Sequence, residues 1–173
     1  MNVLELFTPI RTFVFDVDGV LTDGSLLILD DGQMARKMNV KDGYALQLAI
    51  KKGYRVVVIS GAISLPVKER LEKLGVTDIF MEVTDKKAKL INYADQHGLE
   101  WERVLFMGDD IPDHEAMKLV GLPACPSDAV MEIKEIAQYI SHLPGGSGCA
   151  RDVIEKVLKL NGHWEINTTI SSK

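Results

Sequence analysis

Five carboxylates of this 173-residue chain fall in two short clusters with chemistry in common. The first follows an apolar run and reads Asp16-Val17-Asp18-Gly19; the second closes another and reads Gly108-Asp109-Asp110-Ile111-Pro112-Asp113. Brought together, such groups repel: two unit charges ~4 Å apart at an effective dielectric of ~20 cost about 4 kcal/mol. A cation relieves that repulsion, and an all-oxygen donor set without neighbouring His or Cys suits Mg2+. Ser60-Gly61 ends a third apolar run, where a hydroxyl and backbone N–H groups can hold a phosphoryl group. Lys86, in the helix start Asp85-Lys86-Lys87, adds positive charge, with Lys87 and Lys89 as neighbouring alternatives. Singly, each feature has an ordinary explanation as a strand-ending Asp, a turn Ser or a surface Lys. In combination they point to phosphoryl chemistry. His114, beside Asp113, reads as a helix-surface residue rather than a ligand.

These positions need a scaffold that brings strand ends together. Residues 12–16, 54–60 and 103–109 are short apolar runs rich in β-formers, and 79–81 and 122–124 fit further strands. Helical stretches alternate with them at about 42–52, 64–74, 86–97, 112–119, 128–137 and 149–160. Alternation of this kind predicts an α/β fold: a doubly wound, Rossmann-like, mostly parallel sheet with helices on both faces. Ligands of such sheets gather at the carboxyl ends of the strands, where the acidic clusters lie. Residues 25–38 break the rhythm with two β-like arms around Asp31-Gly32, a small β-hairpin flap after the first strand. The tail, about 162–173, is polar and aperiodic and is expected to be loose or docked on a neighbour.

The length predicts a single domain over 1–173. A net charge of −5 argues against nucleic acid or an anionic membrane as partner. Cys125 and Cys149 build neither a disulfide framework nor a zinc site. No secretion signal or ~20-residue apolar run is present, so a soluble cytoplasmic chain is expected.

In order, DVDGVLTD (16–23), VVVISG (56–61), Lys86 and GDDIPD (108–113) resemble the four signature elements of the haloacid dehalogenase superfamily, over about Arg11 to Ile154. Within it, DVDGVLTDG (16–24), NVKDGYALQLAIKKG (39–53), GDDIPD and GGSGCAR (145–151) resemble the small capless sugar-acid phosphatases that act on 3-deoxy-D-manno-octulosonate 8-phosphate (Kdo 8-phosphate) in lipopolysaccharide precursor synthesis. The resemblance implies a Mg2+-dependent phosphatase with Asp16 as nucleophile and Asp18 as general acid/base. It implies Mg2+ held by Asp16, the main-chain carbonyl of Asp18, and Asp109, with Asp110 and Asp113 as outer or auxiliary ligands, either of which could touch the ion. Ser60, Gly61 and Lys86 would bind the phosphoryl oxygens.

No room for a cap domain remains between Asp18 and Ser60, or between Ser60 and Lys86. In the resembled family the hairpin projects into a tetramer, which makes 25–38 a candidate homotetramer interface. Lys41, Asp42 and Gly43 are candidates for substrate contact, although Asp42 also suits a helix N-cap. The loop 145–148 could offer backbone N–H groups to an anion or be a plain turn. Arg151, and Arg70 if a neighbouring subunit brings it in, are candidates for a sugar-acid carboxylate, with solvation as the alternative. Ala62, where relatives acting on a nine-carbon sugar acid 9-phosphate (KDN type) carry Glu, favours the eight-carbon substrate. Two readings compete with this one. A receiver-like phosphoacceptor domain shares the acids, Ser and Lys but has no acid two residues beyond the accepting Asp. A protein or polynucleotide phosphatase would call for a basic approach surface.

Overall fold

A computed structural model describes residues 2–171. In chain order its first half comprises β1 (Thr12–Phe15), β2 (Leu27–Ile28), β3 (Met34–Ala35), α1 (Val40–Lys51), β4 (Arg55–Ile59), α2 (Leu65–Lys73) and β5 (Asp78–Phe80). Then follow α3 (Lys86–His97), β6 (Val104–Met107), α4 (His114–Met117), β7 (Leu122–Cys125), α5 (Met131–Ile136), β8 (Tyr139–Ile140) and α6 (Cys149–Leu160). β1 lies inside the sheet because all four of its side chains are buried. It pairs in parallel with β4 on one side and β6 on the other, Phe15 facing Val58 and Met107. The sheet order is β5-β4-β1-β6-β7-β8, parallel throughout.

The chain winds outward from β1 through β4 to β5, then returns across β1 to β6. That reversal puts the loops after β1, β4 and β6 side by side at one edge, the usual ligand crevice of a doubly wound sheet. On one face, α1, α2 and α6 bury Leu46, Leu71 and Ile154 against Phe13, Phe15 and Val58. On the other, α3, α4 and α5 bury Leu90, Met117 and Ile133 against Val14, Val57 and Phe106. Both cores are closed, so the strand ends are held by packing rather than by loops.

The observed architecture is the α/β fold expected from the sequence, with local differences. β8 falls in a stretch that the sequence pattern assigns to no element; two residues carry too little pattern to show. Residues 112–119 split into a tight turn, Ile111–Asp113, and the short α4. The turn is built by Asp110 and Asp113, which cap it reciprocally. α5 starts at Met131 because residues 127–130 form a turn. β2 and β3 pair as an antiparallel hairpin closed at its base by a bridge from Thr22 to Met38. The tail is not loose where it is described. The Tyr44 hydroxyl donates to the Glu165 carbonyl (2.9 Å) and accepts from the Asn167 N–H (2.9 Å). Trp164 and Ile170 pack on the first core, and apolar burial at two points outweighs the polar composition. Residues 172 and 173 of the tail lie outside the described residues.

Candidate active site

The site is built at the carboxyl edge from the loops after β1, β4 and β6. β1 delivers Asp16, whose Oδ1 accepts the Val17 N–H at 2.7 Å and faces Lys86 Nζ at 2.9 Å. Oδ2 has no hydrogen-bond partner among the described residues and is the oxygen left for chemistry. Lys86 is the first residue of α3 and is turned inward, its side chain 3% exposed. The competing lysines point elsewhere: Lys87 is exposed near Glu115, and the Lys89 ammonium lies over the Phe80 ring.

β6 delivers the second cluster. Asp113 is buried, accepts from Lys86 Nζ at 2.6 Å with Oδ1, and accepts the Asp109 N–H at 3.1 Å with Oδ2. Oxygen atoms of Asp16, Asp109 and Asp113 all lie within 4.8 Å of one another. Asp110 is exposed and turned to its own turn, where Oδ1 accepts the Ile111 N–H at 2.8 Å. Of the two auxiliary candidates, only Asp113 joins the cluster.

One ammonium cannot neutralise three carboxylates. Burial, followed by the nearby charge of Asp113, pushes Asp16 up to about 7, against the pull of Lys86. Burial, then the charges of Asp16, Asp113 and Asp110, pushes Asp109 up to about 8. Burial would depress Lys86, but Asp113 and Asp16 outweigh it and hold the ammonium above its ordinary value. The Oδ1 atom of Asp109 is buried with no hydrogen-bond partner among the described residues. An orphaned carboxylate oxygen beside two others, with no His or Cys among them, fits a hard divalent cation such as Mg2+.

The backbone is shaped to this arrangement. Gly19 has φ +84°, and a Cβ there would lie 1.8 Å from Asp109 Oδ2. A Cβ on Gly145 would lie 2.0 Å from the Gly19 carbonyl oxygen, so the loop before α6 presses directly on the Asp18-Gly19 turn. In that loop Gly145 donates to Asp128 Oδ1 (2.9 Å), Gly146 to the Val20 carbonyl (2.9 Å) and Ser147 to the Pro144 carbonyl (3.2 Å).

Ser60 ends β4, is buried, and its Oγ accepts the Ala62 N–H at 3.1 Å. Continuing the Phe15–Val58 register, Asp16 lies level with Ile59, so Ser60 stands one residue further along the same edge of the sheet. Next to Gly61 a cavity of about 1080 Å3 opens between the hairpin and α2, lined among others by Met34, Arg36, Val40, Ile63 and Arg70.

The remaining candidates sit differently from expectation. The N-cap of α1 is Asn39, which accepts the Lys41 N–H at 2.8 Å. Asp42 instead caps α6, accepting the Arg151 N–H at 2.8 Å from across the domain. Burial pushes Asp42 up to about 6 against that hydrogen bond and the charges of Arg151 and Arg70. Gly43 is buried inside α1. Arg151 points away from the acidic cluster: Nε pairs with Glu155 at 3.2 Å and the guanidinium lies over Tyr44 and Trp164. Lys41 lines a separate cavity with Arg151. His114 pairs with Glu115 on the surface of α4. Cys125 and Cys149 are free and buried, and burial raises both thiols, which suits packing and not nucleophilic chemistry.

One residue at the site was not anticipated. Arg36, just after β3, holds Asp18 through Nε–Oδ1 at 2.7 Å and Nη2–Oδ2 at 3.2 Å. An Arg on a short hairpin arm has no periodic position to announce it, and its charge is one of four on the flap, with Asp30, Asp31 and Lys37, so nothing in the sequence singles it out.

Residues 70–150 match the model of a haloacid dehalogenase-like hydrolase family. The chain is 31% identical over 161 residues to the 3-deoxy-D-manno-octulosonate 8-phosphate phosphatase KdsC of Salmonella typhi, covering 93% of this chain and 86% of that one. Among solved structures, a probable YrbI family phosphatase from Pseudomonas syringae superposes with TM-score 0.90 at 34% identity, over 93% of this chain and 92% of that one. The Moraxella catarrhalis 3-deoxy-D-manno-octulosonate 8-phosphate phosphatase, solved with magnesium, phosphate and KDO, superposes with TM-score 0.88 at 29% identity over 91% of each chain.

Proposed function

Because the chain belongs to the haloacid dehalogenase-like hydrolases, and within them to the Kdo 8-phosphate phosphatases, we propose that it hydrolyses Kdo 8-phosphate to Kdo and inorganic phosphate with Mg2+ as cofactor. The observation that carries this reading is the Asp16–Asp109–Asp113 cluster, buried at Asp16 and Asp113 and half-buried at Asp109, backed by Lys86 at the sheet's reversal point. Asp16, the Asp18 carbonyl and Asp109 would hold the ion, with Asp113 as an auxiliary acid of the same cluster. When bound, it offsets the repulsion between a carboxylate and a phosphate dianion.

Asp16 attacks phosphorus through its free Oδ2: an O–P bond forms and the phosphorus–sugar oxygen bond breaks. Lys86 and the Val17 N–H fix the other oxygen, so the attacking one is oriented before substrate arrives. Asp18 gives its proton to the departing sugar oxygen, then takes one from the water that attacks the aspartyl phosphate, which restores Asp16. The Ser60 hydroxyl, the Gly61 N–H and the Lys86 ammonium bind the phosphoryl oxygens. The sugar acid occupies the neighbouring cavity, with Arg70 near its carboxylate.

Phosphate release from a panel of sugar phosphates tests this. Turnover is expected on Kdo 8-phosphate, at least ~10-fold below it on a nine-carbon 9-phosphate, and none with a chelator. Equal turnover on both substrates, or one stable phosphoryl group per chain instead of repeated release, would overturn it.

Assembly completes the reading. Leu26, Leu27, Ile28, Leu29 and Met34 of the hairpin are 41–68% exposed, an apolar surface that a monomer has no reason to keep. A homotetramer through residues 25–38 buries it and supplies the lid that the missing cap does not. Light scattering at micromolar concentration is expected to give four times the chain mass, and Ile28→Asp to give a smaller species. A wild-type monomer excludes the assembly. No described helix is long and apolar enough to cross a membrane, and the two buried thiols suit a cytoplasmic location.

A further inference from the structure

We propose that Arg36 is the positioning residue of Asp18, fixing the plane of its carboxylate and tying the proton-transfer step to the hairpin. The inference rests on Asp18 being the acid/base. Asp18 stands on the loop after β1 with its side chain 35% exposed, and that loop does little to hold it. The Thr22 hydroxyl serves the N–H groups of Gly19 and Gly24, and Asp16 takes the Val17 N–H. Among the described residues, hydrogen bonds reach the Asp18 carboxylate only from Arg36.

That contact is not a solvated surface pair of the kind worth little. The Arg36 side chain is 5% exposed. Two guanidinium nitrogens meet the two carboxylate oxygens at 2.7 and 3.2 Å, a fork that sets both distance and plane. The remaining nitrogen, Nη1, donates to the Met34 carbonyl at 3.1 Å, so the fork is braced on β3. Each Asp18 oxygen keeps a second lone pair, which can carry the proton given to the departing sugar oxygen and then accept one from the attacking water. Arg36 thus orients the group without blocking it. Lys, with a single point charge on a flexible stem, fixes distance but not plane.

Arg36→Ala and Arg36→Lys in the full chain, with Mg2+, test this. A misplaced proton donor costs up to ~100-fold, so Arg36→Ala is expected to lower kcat on Kdo 8-phosphate by about 10- to 100-fold with KM within about threefold. Lys should recover part of the loss. With p-nitrophenyl phosphate, whose leaving group needs no proton, the single-turnover burst should change by less than about threefold. In an Asp18→Asn background, Arg36→Ala should subtract nothing further, because the group it positions is already disabled. A rise in KM with kcat intact would make Arg36 a substrate contact and overturn the proposal. So would an undiminished effect of Arg36→Ala in the Asp18→Asn background, or a folded Arg36→Lys with full kcat. If Asp18→Asn alone keeps full turnover, the acid/base reading falls and the inference with it, whereas an inactive Asp18→Asn beside a neutral Arg36→Ala removes only the inference.

Discussion

Asp16→Asn is expected to lower kcat for phosphate release by about 10^4-fold or more while leaving the chain folded and more stable than wild type in chelator at pH 8. The amide is nearly isosteric, so packing against the Val17 N–H survives, but it is a poor nucleophile toward phosphorus. The stability gain follows from electrostatics. Asp16 is pushed up to about 7 because its charge is buried beside Asp113, and Lys86 leans closer to Asp113 (2.6 Å) than to Asp16 (2.9 Å). Above pH 7 the fold therefore carries an ionised group that it disfavours, and Asn removes it. Catalytic groups held at a cost to the fold commonly behave this way. Phosphate release and calorimetry on the same preparation check both halves. Turnover above about 1% of wild type, well beyond what loss of a nucleophile permits, would remove Asp16 from the bond-forming role.

The parts of the molecule legible in the sequence are those fixed by local pattern. α3 and α6 run over the residues that their periodicity marks, 86–97 and 149–160, and the β1, β4 and β6 runs fall where three buried neighbours require continuous apolar side chains. Asp16, Ser60 and Asp109 were legible for the same reason: each is the polar residue at which such a run stops. Lys86 was chosen over Lys87 and Lys89 from the sequence, and the structure turns it inward at the first residue of α3. What stayed hidden depends on contacts distant in the chain. Asp42 reads locally as the start of its own helix, yet it caps α6 109 residues away. Arg151 reads as a free cation beside a glycine loop, but Tyr44, Trp164 and Glu155 hold it. Asp110 and Asp113 are alike as letters. The tight turn separates them, because the cap faces Asp110 outward while Asp113, three residues on, returns to Lys86. Arg36 needed the hairpin to fold back over the Asp18 loop, a placement that no spacing encodes.

Stability should depend on pH and on Mg2+ in opposite senses. Asp16 and Asp109, each with an ordinary value of 3.8, are held at about 7 and about 8. Between pH 4 and 8 the folded chain therefore binds more protons than the unfolded chain, so stability falls as pH rises through that window. The stability is fully present below pH 4 with respect to these groups and is lost above pH 8. Asp42, held at about 6, adds a loss of the same sign that ends lower, between pH 4 and 6. Divalent ion binding needs the ionised carboxylates, so added Mg2+ should raise Tm most where the chelated protein is weakest. The expected result is a Tm in chelator that declines from pH 5.5 to 8, and a Mg2+-induced rise clearly larger at pH 8 than at pH 5.5. Asp42→Asn should flatten only the lower part of the chelator curve and leave the Mg2+ response intact, since Asp42 lies at the head of α6 and not in the acidic cluster. A chelator Tm that climbs from pH 6 to 8, or a Mg2+ response independent of pH, would mean that repulsion among Asp16, Asp109 and Asp113 does not govern the site.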